Sequence, residues 1–156
     1  GTGSDNSGQL RIYDKQGETR SYLGDGYLQA YNQFGERTIF LGTGTDGGGY
    51  LRTYNFSGQE SIYVGTGADS SGQIRIYDNT GETGSFLGSG YFRTYNRFGK
   101  MTTFIGNATD GGGYLRTNNK FETETAFLGT NNANEGLINL NDKFGQSFWI
   151  RLNKKN

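Results

Sequence analysis

The 156-residue chain carries 15 charges of each sign, and only 31% of it is hydrophobic, with eleven tyrosines, eleven phenylalanines and one tryptophan taking a large share of that fraction. Zero net charge excludes an electrostatic nucleic-acid binder, and the remaining aliphatic residues are few for a compact monomeric core. Cysteine and histidine are absent, which excludes a disulfide framework, a thiolate metal site, and the commonest general base and zinc ligand. No apolar run reaches the roughly 18 to 20 residues of a membrane span and no signal peptide is visible, so no membrane insertion is expected. The chain opens on Gly1 in place of methionine, which reads as a piece excised from a longer protein.

Along the chain, a unit that opens with glycine and an apolar alternation starts at Gly8, Gly26, Gly49, Gly72, Gly90, Gly113 and Gly136. The spacings are 18, 23, 23, 18, 23 and 23, so three units make a super-repeat of 64 residues. Residues 8–71 and 72–135 are identical at 34 of 64 positions, the record of a tandem duplication. The stretch TDGGGYLRT accordingly recurs letter for letter at Thr45–Thr53 and Thr109–Thr117.

Each unit reads as a β-hairpin. Its first strand, GYLRTYN in the commonest form, alternates between two faces. One face carries Leu10, Leu28, Leu51, Ile74, Phe92, Leu115 and Ile138, and the other carries tyrosine or glutamine followed by arginine or glutamine. Asn or Asp then opens a turn at Asp14, Asn32, Asn55, Asp78, Asn96, Asn119 and Asp142, with glycine three residues later except at Glu122. A side-chain acceptor at the first turn position and a residue free to take positive φ at the fourth predict a type I turn with a glycine bulge. The second strand ends in aromatic, aliphatic, glycine, as in Phe40-Leu41-Gly42 and Phe104-Ile105-Gly106. In the seventh unit Leu152 replaces that glycine and Trp149 appears, so residues 136–156 read as a C-terminal cap after the tandem hairpins of 1–135.

Units one and four join their successors through a single residue, Asp25 or Ser89, and the others use six. One tight and two wide connectors suit a solenoid with TDGGG as a corner, where glycine reverses the chain without steric penalty. A phosphate-cradling loop would require a following helix, and a strand follows here. The fold class is therefore all-β, an elongated, repetitive β-hairpin solenoid or β-helix of seven units. Two-stranded units cannot bury their faces alone, so a homo-oligomer is expected, threefold by preference.

The pattern G-x-L-x-x-Y-N-x-x-G-(x)6-G, as in GYLRTYNFSGQESIYVG and GYFRTYNRFGKMTTFIG, resembles the tandem repeats of bacterial and phage fibre proteins, including trimeric tail fibres and adhesive fibres, over residues 8–152. The resemblance implies a homotrimeric, extracellular, cell-surface or virion-associated fibre segment or tip that is not an enzyme and recognises cell-surface glycans. The alternative is a monomeric carbohydrate-binding solenoid of a cell-surface protein. A second resemblance, to choline-binding hairpin modules, departs at tryptophan, since those modules supply several and this chain has Trp149 alone.

The candidate ligand-binding residues are Tyr27, Tyr50, Tyr91 and Tyr114 with Arg52, Arg93 and Arg116, to which Trp149 is added. Exposed rings suit sugar faces, and guanidinium groups suit carboxylates. The competing reading is that these rows stack on one another to cover the sheet. The glycine–aspartate stretches at Gly42–Gly48 and Gly65–Ser71 offer one acid each, too few for tight calcium binding. Neither a metal nor a cofactor is expected. Glu18, Glu36, Glu60 and Glu82 sit at or just after turns, where solvated charge is ordinary, and nothing marks a catalytic pair.

Overall fold

The structure, a computed structural model, describes residue 1, residues 8–131 and residues 133–152, the last four of these by their backbone. The chain forms two compact units, residues 1–81 and 82–156. Among the described residues every regular element is a strand.

Unit 1 contains β1 (Gln9–Tyr13), β2 (Thr19–Gly24), β3 (Tyr27–Tyr31), β4 (Arg37–Thr43), β5 (Gly49–Tyr54), β6 (Glu60–Thr66) and β7 (Gly72–Tyr77). Each pairs antiparallel with the next in sequence, giving an open meander. Unit 2 repeats the arrangement with β8 (Thr83–Gly88), β9 (Tyr91–Tyr95), β10 (Met101–Asn107), β11 (Gly113–Asn118), β12 (Glu124–Thr130), β13 (Gly136–Asn141) and β14 (Ser147–Leu152).

Local chemistry explains the turns. At Asp14 the carboxylate accepts the backbone N–H groups of Gln16 and Glu18, both at 2.9 Å, while Gly17 N–H donates to Asp14 C=O at 3.1 Å. The ladder slips by one residue between Ile12 and Tyr13, which is the expected bulge. The same pattern closes the turns opened by Asn32, Asn55, Asn96, Asn119 and Asp142. At Asn119 the left-handed position is held by Glu122, with φ 65°.

The connectors differ from the sequence reading. TDGGG is not a wide corner but a four-residue hairpin turn, in which Gly47 N–H donates to Gly44 C=O at 3.0 Å and Gly44 N–H to Gly48 C=O at 2.7 Å. The Asp46 carboxylate accepts Gly48 N–H at 3.1 Å, so it serves as the turn acceptor. The tight connectors are two-residue turns with both φ angles positive, Asp25 at 51° with Gly26 at 79°, and Ser89 at 50° with Gly90 at 81°. Those are the signs of a type I′ turn, whose twist matches that of the flanking strands.

The sheets are thinly covered. Phe104 is the one buried hydrophobic side chain among the described residues. The aliphatic face expected from the alternation forms, since Leu41 pairs with Leu51, Leu51 with Val64 and Val64 with Ile74 across successive strands. It lies open: from Leu10 at 57% to Ile138 at 36% exposed, its side chains meet solvent.

Two glycines separate backbone demand from available space. Gly90→Ala forces a Cβ into the left-handed region and is expected to lower unfolding free energy by about 1–2 kcal/mol. Gly113 has open space around its Cβ position and no positive φ, so Gly113→Ala is expected to be neutral or stabilising by up to about 1 kcal/mol. Urea denaturation of the two variants checks the contrast.

Candidate functional site

The face opposite the aliphatic one is a stack of aromatic rings. In unit 1 it runs Tyr22, Tyr27, Phe40, Tyr50, Tyr63, with centroids 5.2, 5.4, 5.1 and 5.9 Å apart. In unit 2 it runs Phe86, Tyr91, Phe104, Tyr114, Phe127, at 5.2, 5.6, 4.7 and 5.4 Å. Interplanar angles of 16–34° make these offset stacks, the favoured geometry for neighbouring rings.

Register and glycine build the stack together. Each closing glycine lies directly opposite a tyrosine, Gly42 against Tyr50, Gly65 against Tyr50, Gly106 against Tyr91 and Gly129 against Tyr114. A Cβ on Gly106 would come within 2.5 Å of Tyr91 Cβ, and one on Gly42 within 2.8 Å of the Phe40 ring. At Gly24, Gly42 and Gly65 the missing side chain leaves room for the ring two residues earlier, and at Gly106 and Gly129 for the tyrosine of the facing strand. The glycine in the aromatic–aliphatic–glycine triad is a packing requirement.

The arginines lie on the same layer. Arg52 pairs across with Phe40 and Tyr63, and its Cζ is 4.7 Å from the Tyr50 centroid and 5.5 Å from that of Tyr63. Arg93 sits 4.2 Å from the Tyr91 centroid and 5.4 Å from Phe104. The Nε atoms of Arg52, Arg93 and Arg116 are buried without a hydrogen bond, so the inner edge of each guanidinium is committed to the aromatic layer. Burial works to lower the Arg52 pKa, and the Glu60 carboxylate at 3.4 Å together with Tyr54 and Tyr50 more than offsets it, so the pKa is raised. The hydrogen bond that Tyr22 donates to Asp25 at 2.7 Å, together with burial, holds the Tyr22 hydroxyl protonated well above the ordinary tyrosine range.

All seven of the tyrosine and arginine candidates, Tyr27, Tyr50, Arg52, Tyr91, Arg93, Tyr114 and Arg116, are therefore half-buried members of the two stacks. Their ring faces are taken by neighbouring rings and cations. In unit 1 this face holds a shallow polar hollow of about 300 Å3 lined by Asp46, Arg52, Glu60, Tyr63, Arg75 and Tyr77. Burial, and then the nearby Glu60, raise the Tyr77 pKa, so its hydroxyl remains a donor there. Trp149 pairs across with Leu140 in β14, and its side chain lies outside the described residues. No cluster of three acidic, histidine or cysteine side chains that could hold a metal ion occurs among the described residues.

Sequence reasoning missed a different set: Phe34, Phe56, Phe98, Phe121 and Phe144, which project from hairpin turns at 64–86% exposure. Strand alternation says nothing about turn positions; the available signal was the Asn/Asp-x-Phe at four of the turns, with Phe56 directly after Asn55 at the fifth.

Gly106→Ala places a Cβ against Tyr91 Cβ at 2.5 Å and the Gly90 carbonyl oxygen at 2.9 Å. It is expected to lower stability by about 1–3 kcal/mol and to change the near-ultraviolet dichroism of the tyrosines; an unaltered midpoint and spectrum would show that the rings do not need the gap.

No family model fits the chain, and no curated protein is significantly similar to it.

Proposed function

We propose that this chain is a non-enzymatic structural segment of an extracellular or virion-associated fibre, assembled as a homotrimer with its aliphatic faces turned inward. One observation carries the reading: the two faces of each sheet are finished to different degrees. The aromatic face covers itself with its own rings and arginines. The aliphatic face has no cover, and in unit 1 ten side chains, from Leu10 to Ile76, are at least 36% exposed.

Magnitudes are sufficient to allow association. A fully buried aliphatic side chain contributes about 1.5–3 kcal/mol, so one already half-covered regains about 1 kcal/mol. Ten of them recover on the order of 10 kcal/mol per chain, comparable with the roughly 4–15 kcal/mol that association costs. The threefold order follows from the likeness of the repeats to those of trimeric fibres.

A second reading, glycan recognition by the Tyr–Arg face, is favoured by the polar hollow at Arg52, Glu60 and Arg75, where charged donors and acceptors meet a tyrosine edge. It is compatible with the fibre, and it also stands alone as a monomeric carbohydrate-binding module.

Light scattering should give about 51 kDa, three times the 17.1 kDa chain. Leu41→Lys with Val64→Lys, two substitutions at half-exposed positions of the aliphatic face, should shift that mass to 17 kDa without loss of β-dichroism. A wild-type mass of 17 kDa at micromolar concentration would overturn the assembly. For the second reading, a glycan array should show hits that Arg52→Ala abolishes; an array without hits removes it.

A further inference from the structure

The turns that follow β9, β11 and β13 all lie along one edge of the unit 2 sheet. Each carries a cation and then a phenylalanine: Arg97-Phe98, Lys120-Phe121 and Lys143-Phe144. The rings are 64%, 74% and 74% exposed. In every case the preceding cation lies over its own ring, at 4.7, 4.9 and 4.9 Å from the centroid. Turn geometry does not demand this, because the turn after β1 places Lys15 and Gln16 at the same two positions. The opposite edge of unit 2, at residues 107–112 and 131–135, contains two acids and no aromatic residue or cation.

The three tips are held in place. Lys100 and Glu122 form an ion pair at 2.9 Å between the first turn and the second, and Asn119 Nδ2 donates to the Lys143 carbonyl at 3.1 Å between the second and the third. The first tie gives a reason for the one turn on this edge that has no glycine, since the left-handed residue there supplies the carboxylate. Successive tips are two strands apart, a step of about 9 to 10 Å.

We propose that this edge binds a linear, carboxylated polysaccharide lying across the turns. The step between tips is close to one disaccharide of an extended β-linked chain, so each repeat would set a sugar C–H face on a ring and a carboxylate on the adjacent cation. A bilayer is a poorer match, because it rewards contiguous apolar area and these rings are separated, each beneath its own charge. The site is distinct from the Tyr–Arg face and stands within one unit, so it does not depend on the trimer.

The test is binding of the full chain, in whatever oligomeric state it adopts, to alginate, with dextran and phosphatidylserine vesicles as the other arms. Alginate should bind, dextran should not, and affinity should fall as salt is raised. Phe98→Ser with Phe121→Ser, and separately Lys120→Gln with Lys143→Gln, should each weaken binding about tenfold or more, with dichroism and mass unchanged. Arg52→Ala should leave it unchanged. The proposal is overturned by absence of alginate binding, by binding that survives the phenylalanine changes and is mere ion exchange, by binding to vesicles alone, or by a fall in oligomeric mass in the phenylalanine variant, which would assign the rings to contacts between copies.

Discussion

A single layer of β-sheet has two faces to remove from water and one set of side chains per face with which to do it. This chain meets that constraint on one side only. Aromatic rings stacked one against the next across the strands form their own cover, and they fit because the strand offers no side chain against the ring at Gly42 and Gly65 or against the facing tyrosine at Gly106 and Gly129. Arginines complete the layer by placing guanidinium planes over the rings, an arrangement in which cation–π attraction of about 0.5–2 kcal/mol per contact replaces conventional core burial. On the other side, short branched chains such as Leu41, Val64 and Ile74 cannot reach over one another, and they stay wet until another surface meets them.

That asymmetry organises the rest. The wet face gives the proposed trimer its reason to assemble, and the aromatic face would then form its exterior. The turns form a third surface, independent of both, where the fold tolerates any residue compatible with the turn. It is there that unit 2 carries its exposed phenylalanines beside cations, tied from turn to turn by Lys100–Glu122 and by Asn119.

Much of this was legible in the sequence because it is local. The acceptor at Asp14 or Asn96 and the glycine three residues on dictate the turn and its bulge, and period-two alternation assigns Leu51 and Arg52 to opposite faces. What was not legible depends on which strands lie side by side. The closing glycine of Phe104-Ile105-Gly106 reads as a strand end until the register puts Tyr91 opposite it. The glycines of TDGGG demand only a chain reversal, which suits the expected corner, and it is the pairing of β4 with β5 that makes the stretch a hairpin turn instead. The candidate tyrosines and arginines fall on one face, and of the two readings of that face the ring spacing across strands supports the one in which the rows stack on one another.

The central claim is that the aliphatic face is dry only when another copy covers it. Thermal unfolding as a function of protein concentration tests this most directly, since a contact between copies stabilises the folded state by mass action. The account predicts a midpoint that climbs steadily as the chain is concentrated; a midpoint independent of concentration, in a species that unfolds cooperatively, would contradict it.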